Sequence, residues 1–381
     1  MSRMSAHVAP RISDVDAQGW DACLPGEAEC HAYYAACEAA GPVGHTMAAA
    51  IVKDGAGIAA VAPLFRMAYR LDTAMQGHLR PLGEWLRRRA GRLVTLNVLG
   101  VGSPYAERCH VGLRHDLDDT DKSEAQRHLL EVIQGHAATE GIGLVAFKDL
   151  GPEDAARWRP LLKAAGFTEV GGLPVAVLDL GGQDEQAYLR HLSRATRKDL
   201  RRKLAAAGPV TIEARTDIAD IAQDIEALYE STRAASGVDY GDFEALPRGY
   251  FARVSAALGE RAVFMLYRVR GELAAFNLLL IEPTRVIDKF LGMRYPLARE
   301  HNLYAVSWME NVRLCLARGA PLLQCGQTAY AAKLRFGSRL ATSVIYFRHH
   351  QPLVNFMLRM VSPFLAFDRT DPDLRALRAR P

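Results

Sequence analysis

Val263-Phe-Met-Leu-Tyr-Arg-Val269, Arg270-Gly271-Glu272 and Leu273-Ala-Ala-Phe-Asn-Leu-Leu-Leu-Ile281 follow one another without a break, and this stretch decides the fold. Two apolar runs of strand length flank a short glycine turn, which is the signature of a β-hairpin. Val286-Ile-Asp-Lys-Phe-Leu291 adds a third strand. Beyond it, Leu303, Val306, Met309, Val312 and Leu316 recur at helical spacing, so a helix is expected over about 300–317, closed by Gly319. Residues 322–325 read as a short strand, 330–334 as a short helix, Phe336-Gly337 as a turn and 343–347 as a closing strand.

Working outward, the first half repeats this order. After a helix over 28–40 come runs at 47–52 and 58–65 on either side of Lys53-Asp-Gly-Ala-Gly57, then a strand over 93–99. A helix over 123–139 turns Leu129, Leu130, Val132 and Ile133 inward and stops at Gly141. A strand over 142–147, a helix from Pro152 to Gly166-Phe167 and a strand over 175–180 complete the half. A repeat this long implies duplicated domains, because solenoid repeats run about 20 to 50 residues. Between the halves, one long helix is expected over 184–206, ending at Gly208. It is acidic at Asp184 and Glu185, then dense in cations at Arg190, Arg194, Arg197, Lys198, Arg201, Arg202 and Lys203, which complements a helix dipole. The expected architecture is mixed α/β: an N-terminal unit over 1–182, a basic linker helix over 183–208, a C-terminal catalytic unit over 209–350 and an amphipathic tail over 351–381.

Composition narrows the functional classes. The chain has 381 residues, 49% of them hydrophobic, enough for two or three cored domains. No run approaches the roughly 20 apolar residues of a membrane span, and the N-terminus lacks an apolar signal core, so a cytoplasmic location is expected. Six cysteines do not make a disulfide framework in so long a chain. Cys23, Cys30 and Cys37 beside His31 lack the tight pairing of a metal site and fit small thiols on one helix face; no metal is expected. A net charge of +4 is too mild for a dedicated nucleic-acid binder but admits an anionic substrate.

In its order of elements the chain resembles the GNAT superfamily, and as a tandem it is similar to Fem-type, FemAB-like acyltransferases. Three stretches carry the likeness: Leu192-Ser-Arg-Ala-Thr-Arg-Lys-Asp-Leu-Arg-Arg-Lys203, the helix at 303–319, and Cys325-Gly-Gln-Thr-Ala-Tyr-Ala-Ala-Lys-Leu-Arg-Phe-Gly337. The resemblance implies two GNAT-like domains joined by the basic helix and transfer of an acyl group to an amine, with no tightly bound cofactor. One departure is plain. The glycine-rich pyrophosphate loop of the superfamily is replaced by Tyr295-Pro-Leu-Ala-Arg-Glu-His-Asn302. That departure argues against plain CoA and permits a carrier protein or tRNA; the donor is expected to be a pantetheine thioester on an acyl-carrier protein or CoA, with aminoacyl-tRNA as the Fem-type alternative and a small-molecule amine as acceptor. A non-catalytic binding module with the same fold is the alternative from another class.

Acyl transfer to an amine needs a neutral nucleophile, an exit for its proton and stabilisation of an oxyanion. No Gly-x-Ser-x-Gly elbow occurs, so direct attack on the bound donor is the economical route. The resemblance places Lys333 near the acyl end or phosphate of the donor, and its residue type makes an exposed cation the expectation. Tyr330 shares its segment and could relay a proton, and Gln327 could orient the donor carbonyl. Asp288 interrupts an apolar strand, where a carboxylate needs a reason to stand. His301 and Tyr304 sit where donor phosphate would meet helix N–H groups. Arg194, Arg197, Lys198 and Arg201 recur at steps of three and four and could hold phosphates. Asp239 and Tyr240 are candidates for binding the acceptor amine. Each of these also has an ordinary reading as a cap, a turn or a solvated face. Two features lie outside this scheme. The basic insertion over 66–92 could meet an anionic membrane, a tRNA or a carrier domain. The apolar stretch 353–365 is expected to pack on the body, with peripheral membrane contact as its alternative.

Overall fold

The hairpin read from 263–281 forms with β10 (Ala262–Val269) paired antiparallel to β11 (Glu272–Ile281), and Arg270 and Gly271 take the positive φ angles that close so tight a turn. β12 (Arg285–Met293) adds to β11, β9 (Val210–Arg215) flanks β10, and β13 (Leu322–Gly326) joins β12 in parallel. The computed structural model describes residues 4–70, 95–235, 245–366, 369 and 371–378. These fall into two units, one of 1–174, 240–247 and 341–381, the other of 175–239 and 248–340.

The second unit holds a seven-stranded sheet in the order β14-β8-β13-β12-β11-β10-β9, with β8 at Val175–Asp179 and β14 at Arg339–Ala341. The first unit holds β1 (Ser5–Ala9), β2 (His45–Asp54), β3 (Gly57–Arg70), β4 (Thr95–Val101), β6 (Leu144–Leu150), β7 (Thr168–Gly171) and β15 (Val344–His349). Their order is β1-β2-β3-β4-β6-β15-β7, and the short β5 (Gly112–Leu113) pairs with β3. Position for position the two sheets correspond. Each is a meander, then a parallel strand reached through a helix, then a final pair whose members come from different halves of the sequence.

That last feature moves the expected boundaries. Strand β8 follows the first half in sequence but pairs with β13, while β15 follows the second half but inserts between β6 and β7. The change of unit therefore comes at 174/175 and the return at 340/341, in place of 182/183 and 350/351. Alternating apolar residues announce a strand without saying which sheet it joins.

The single linker helix is also corrected. It is two helices of the second unit, α5 (Glu185–His191) and α6 (Arg194–Ala206). Leu192 and Ser193 are extended, and the Ser193 side chain accepts the Thr196 N–H at 3.1 Å, so a serine read as helix interior is an N-cap.

In the second unit, α10 (Leu303–Arg318) lays Val306, Met309 and Val312 on the sheet face that carries Met265, Leu279 and Val286. The opposite face is aromatic. Phe264, Phe276 and Phe290 meet Phe251 from α8 (Tyr250–Leu258), and Phe290 also meets Tyr229 from α7 (Ala222–Ala235). In the first unit, α3 (Asp119–Thr139) turns Leu129, Leu130 and Ile133 onto the corresponding sheet face, as its spacing predicts. The Asp118 side chain caps it by accepting the Asp121 N–H. The six cysteines are buried thiols, and Cys23, Cys30 and Cys37 are spread over α1 (Ala17–Cys23) and the start and body of α2 (His31–Ala39), not one helix face. The C-terminal apolar stretch is α12 (Pro352–Leu365), but most of its large apolar side chains face solvent, against the expected packing. Of the basic insertion, Arg66 pairs with Glu140 at 3.1 Å, and 71–94 lie outside the described residues.

Candidate active site

The site begins with a defect in the second sheet. β12 and β13 pair in parallel only at Arg285↔Leu322, Val286↔Leu323 and Ile287↔Gln324, although β12 runs on to Met293 along β11. Both strands carry an irregularity where they part: β12 between Phe290 and Asp288 against β11, and β13 between Gln324 and Gly326 against β8. A bulge bends its strand and adds twist, so the paired irregularities splay the two strands into a wedge. Met293 N–H donates to Thr232 Oγ1 at 2.6 Å, away from β11. Alternate residues of a strand aim their main-chain groups to the same side, so Leu291 also turns its N–H and C=O away from β11.

Asp288 stands at the parting point. Asn277 Nδ2, on β11, donates to its Oδ1 at 2.9 Å, and Asn311 Nδ2, on α10, donates to its Oδ2 at 3.0 Å. A carboxylate in an apolar strand is thus held by an amide from each neighbouring element, the compensation burial demands. Two phenols surround it. Burial pushes the Tyr304 phenol upward, and the Asp288 charge adds to the shift. Tyr267 on β10 is raised by burial first, then by Glu310 and Asp288. Both hydroxyls are buried without a hydrogen-bond partner among the described residues. These phenols stay protonated and can donate, not act as bases.

The other wall is the segment after β13. Gly326 and Ala329 both adopt positive φ, which turns the chain sharply into α11 (Tyr330–Arg335). Lys333 on this helix is buried, not the exposed cation expected from its residue type. Burial lifts the Cys325 thiol to about 12, while the Lys333 ammonium lowers it and Asp288 raises it, which sets ammonium, thiol and carboxylate within electrostatic reach of one another. A thiol so raised is no nucleophile near neutral pH.

Structure holds α11 in place from two sides. Trp308 Nε1 donates to the Tyr188 hydroxyl at 2.8 Å, Tyr188 in turn donates to the Phe336 carbonyl at 3.1 Å, and the Tyr304 ring stacks on Phe336 with centroids 6.4 Å apart. Asp199 on α6 meets Arg335 at 2.9 Å, Arg202 at 2.7 Å and Lys203 at 3.1 Å, and these partners, Arg202 foremost, hold its carboxyl at about 2.

The site residues expected from sequence therefore separate. Asp288, Tyr304 and Lys333 come together; Tyr330 is fully buried at the start of α11, and Gln327 is half-buried in the turn before it. His301 is occupied, its Nδ1 2.7 Å from the Ala207 carbonyl oxygen, a contact that requires the proton on Nδ1. Arg197 is occupied too: its Nη1 donates to the Leu189 and Arg190 carbonyls at 3.1 and 3.3 Å, closing the end of α5. Arg194, Lys198 and Arg201 remain as an exposed row on α6. Asp239 and Tyr240 lie outside the described residues. Sequence reading missed Asn277, Asn311, Tyr267 and Asp199. Asn277, within a run of leucines, was the one signal open to it.

Comparison with known proteins adds a likeness. Residues 193–334, from the cap of α6 through most of α11, match the family described as acetyltransferase (GNAT) domain. FemX is similar in structure at a TM-score of 0.57 and 13% identity, over 90% of this chain and 98% of that one. The fold is GNAT/Fem-like. The C-terminal domain of a putative lysylphosphatidylglycerol synthetase from Agrobacterium fabrum is similar at 0.53 and 12% identity, over 90% of this chain and 96% of that one. A tandem GNAT protein from the clavulanic acid biosynthesis pathway is similar at 0.51 and 12% identity, over 92% and 99%. No match to a curated protein is found at the sequence level. The acetyltransferase (GNAT) domain match falls on the part of the chain that has the wedge.

Proposed function

We propose that the second unit is an N-acyltransferase that moves an acyl group from an activated thioester, carried by an acyl-carrier protein or CoA, to an amine. The observation that carries this reading is the parting of β12 and β13 after Ile287 and Gln324, with a held carboxylate and a buried ammonium on its walls. Crevices at the carboxyl ends of parallel strands are favoured ligand sites. A pantetheine arm is chain-like and carries two amides, so it suits a strand edge such as the Leu291 main chain.

In the reaction the acceptor nitrogen forms its bond to the acyl carbon, and the carbon–sulfur bond breaks. Asp288, ionised and fixed by Asn277 and Asn311, attracts the amine and takes its released proton. Lys333 opposes the negative charge that develops on the carbonyl oxygen. The Tyr304 hydroxyl, kept protonated by burial, donates a hydrogen bond to the departing thiolate, and the proton held by Asp288 passes to that thiolate or to solvent as the products leave. Arg194, Lys198 and Arg201 supply an exposed cationic row for the phosphates of the donor.

The same row favours a second reading, transfer from an aminoacyl-tRNA, because a polyphosphate strand engages exposed cations in line. Purified protein is incubated separately with acyl-CoAs, loaded carrier proteins and charged tRNAs plus an amine mixture, and released donor and new amide are followed by mass. Turnover with thioesters that Asp288→Asn and Lys333→Met reduce about 100-fold supports the proposal. Turnover with charged tRNA alone selects the second reading. No turnover with any donor, together with donor binding, identifies a non-catalytic module.

A further inference from the structure

Unlike the other helices, α12 presents its apolar side to solvent. Leu353 is 71% exposed, Phe356 60%, Met357 50%, Met360 60% and Val361 44%, and with Val43 these are all the exposed large hydrophobics among the described residues. Their spacing of three and four places them along one face. The underside is anchored within the first unit: α12 lies against β15 and β7, Ser362 is buried, and Asn355 Oδ1 accepts the His349 N–H at 2.9 Å. The outward stripe is therefore set by docking and is not a frayed tail.

Its charge is one-sided. No Asp or Glu occurs from Asn311 through Phe367, and Arg359 is the one charged residue of α12. His350 and Arg359 are exposed, and past the helix Arg369 and Arg375 are exposed in a segment whose sequence also holds Asp368, Asp371 and Asp373. An apolar helix face whose own single charge is a cation, with no carboxylate on the helix, is complementary to one surface in particular: acyl chains below, anionic headgroups above. A second copy of the same face would set Arg359-bearing stripes against each other. Residues 71–94 of this chain, with Arg80, Arg87, Arg88, Arg89 and Arg92 against Asp72 and Glu84, bring more cations and no charge complement.

We infer that α12 docks the protein on an anionic lipid bilayer, lying in the interface with Leu353, Phe356, Met357, Met360 and Val361 inserted and Arg359 at the phosphates. This goes beyond the proposed transferase reading and stands without it. Flotation of the full chain with vesicles of equal parts phosphatidylglycerol and phosphatidylcholine should recover protein that phosphatidylcholine alone does not, with recovery declining as salt rises. The double substitution Phe356→Asp, Met360→Asp should lower partitioning at least about 10-fold with unchanged melting, since both side chains are exposed. Should that variant misfold, Phe356→Trp provides an independent measure, its emission quenched by brominated phosphatidylglycerol vesicles. Absence of both flotation and quenching overturns the inference. A vesicle-indifferent dimer that the double substitution dissociates assigns the face to a second copy. A vesicle-indifferent monomer whose 352–365 amides resist exchange assigns it to another part of this chain.

Discussion

The two units lay down the same strand order, apart from the short β5 of the first, and differ at the joint between their parallel strands. In the first, β4 and β6 stay paired from Val98↔Leu144 to Val101↔Phe147, the end of β4. The space beyond is filled by the chain's own loop. Cys109 N–H donates to the Asp149 carbonyl at 2.9 Å, its thiol reaches the Val101 carbonyl at 3.4 Å, and Lys148 Nζ donates to the Ala106 carbonyl at 3.0 Å. In the second, β12 leaves β13 after three pairs, and the loop that follows runs directly into helix. On the proposed reading, a duplicated fold carries its chemistry where a sheet is left incomplete, and the copy whose gap is filled is free for another task.

Substitution on both sides of the comparison tests it most severely. Asp288→Asn and Lys333→Met should each lower turnover about 100-fold or more, while Asp149→Asn in the filled joint should change melting and leave turnover alone. Methionine is chosen for Lys333 because the site is buried and alanine would leave a cavity. Loss of turnover on changing Asp149 would erase the distinction between the units.

Next in size is the wedge itself. Leu291→Pro removes one N–H aimed away from β11, so the ladder survives while donor KM should rise about 10-fold with little change in kcat. An unchanged KM places the donor elsewhere.

The cations of α6 should then divide by what they touch. Reversing charge at Arg194, Lys198 and Arg201 should weaken donor binding several-fold and flatten its salt dependence. Arg197→Ala should instead lower melting by a few degrees, because it uncaps α5. The reverse assignment would show that Arg197 holds the donor.

The smallest effect concerns pH. The Asp199 carboxyl is depressed to about 2 by Arg202, Lys203 and Arg335, so the stability it contributes is present above the ordinary aspartate value and is lost as pH falls from about 4 toward 2. With a side chain 26% exposed, this amounts to no more than about 1 kcal/mol. Asp199→Asn should lower melting slightly at pH 7, and the difference from wild type should shrink as pH falls from about 4 through 2.

Sequence by itself determined most element types, the duplication and three residues of the candidate site. Hydrophobic period separates strand from helix, glycine marks the stops, and Asp288 stood out as a charge inside an apolar strand, because these signals lie within a few residues of one another. Tertiary structure alone decided which sheet receives β8 and β15, that Ser193 caps a helix instead of continuing one, and that His301 and Arg197 are spent on carbonyls. It alone brought Asn277, Asn311 and Tyr304 to Asp288, and it turned the stripe of α12 outward. Each of these depends on a partner distant in sequence, and a one-dimensional pattern records that a residue needs a partner without recording where that partner is.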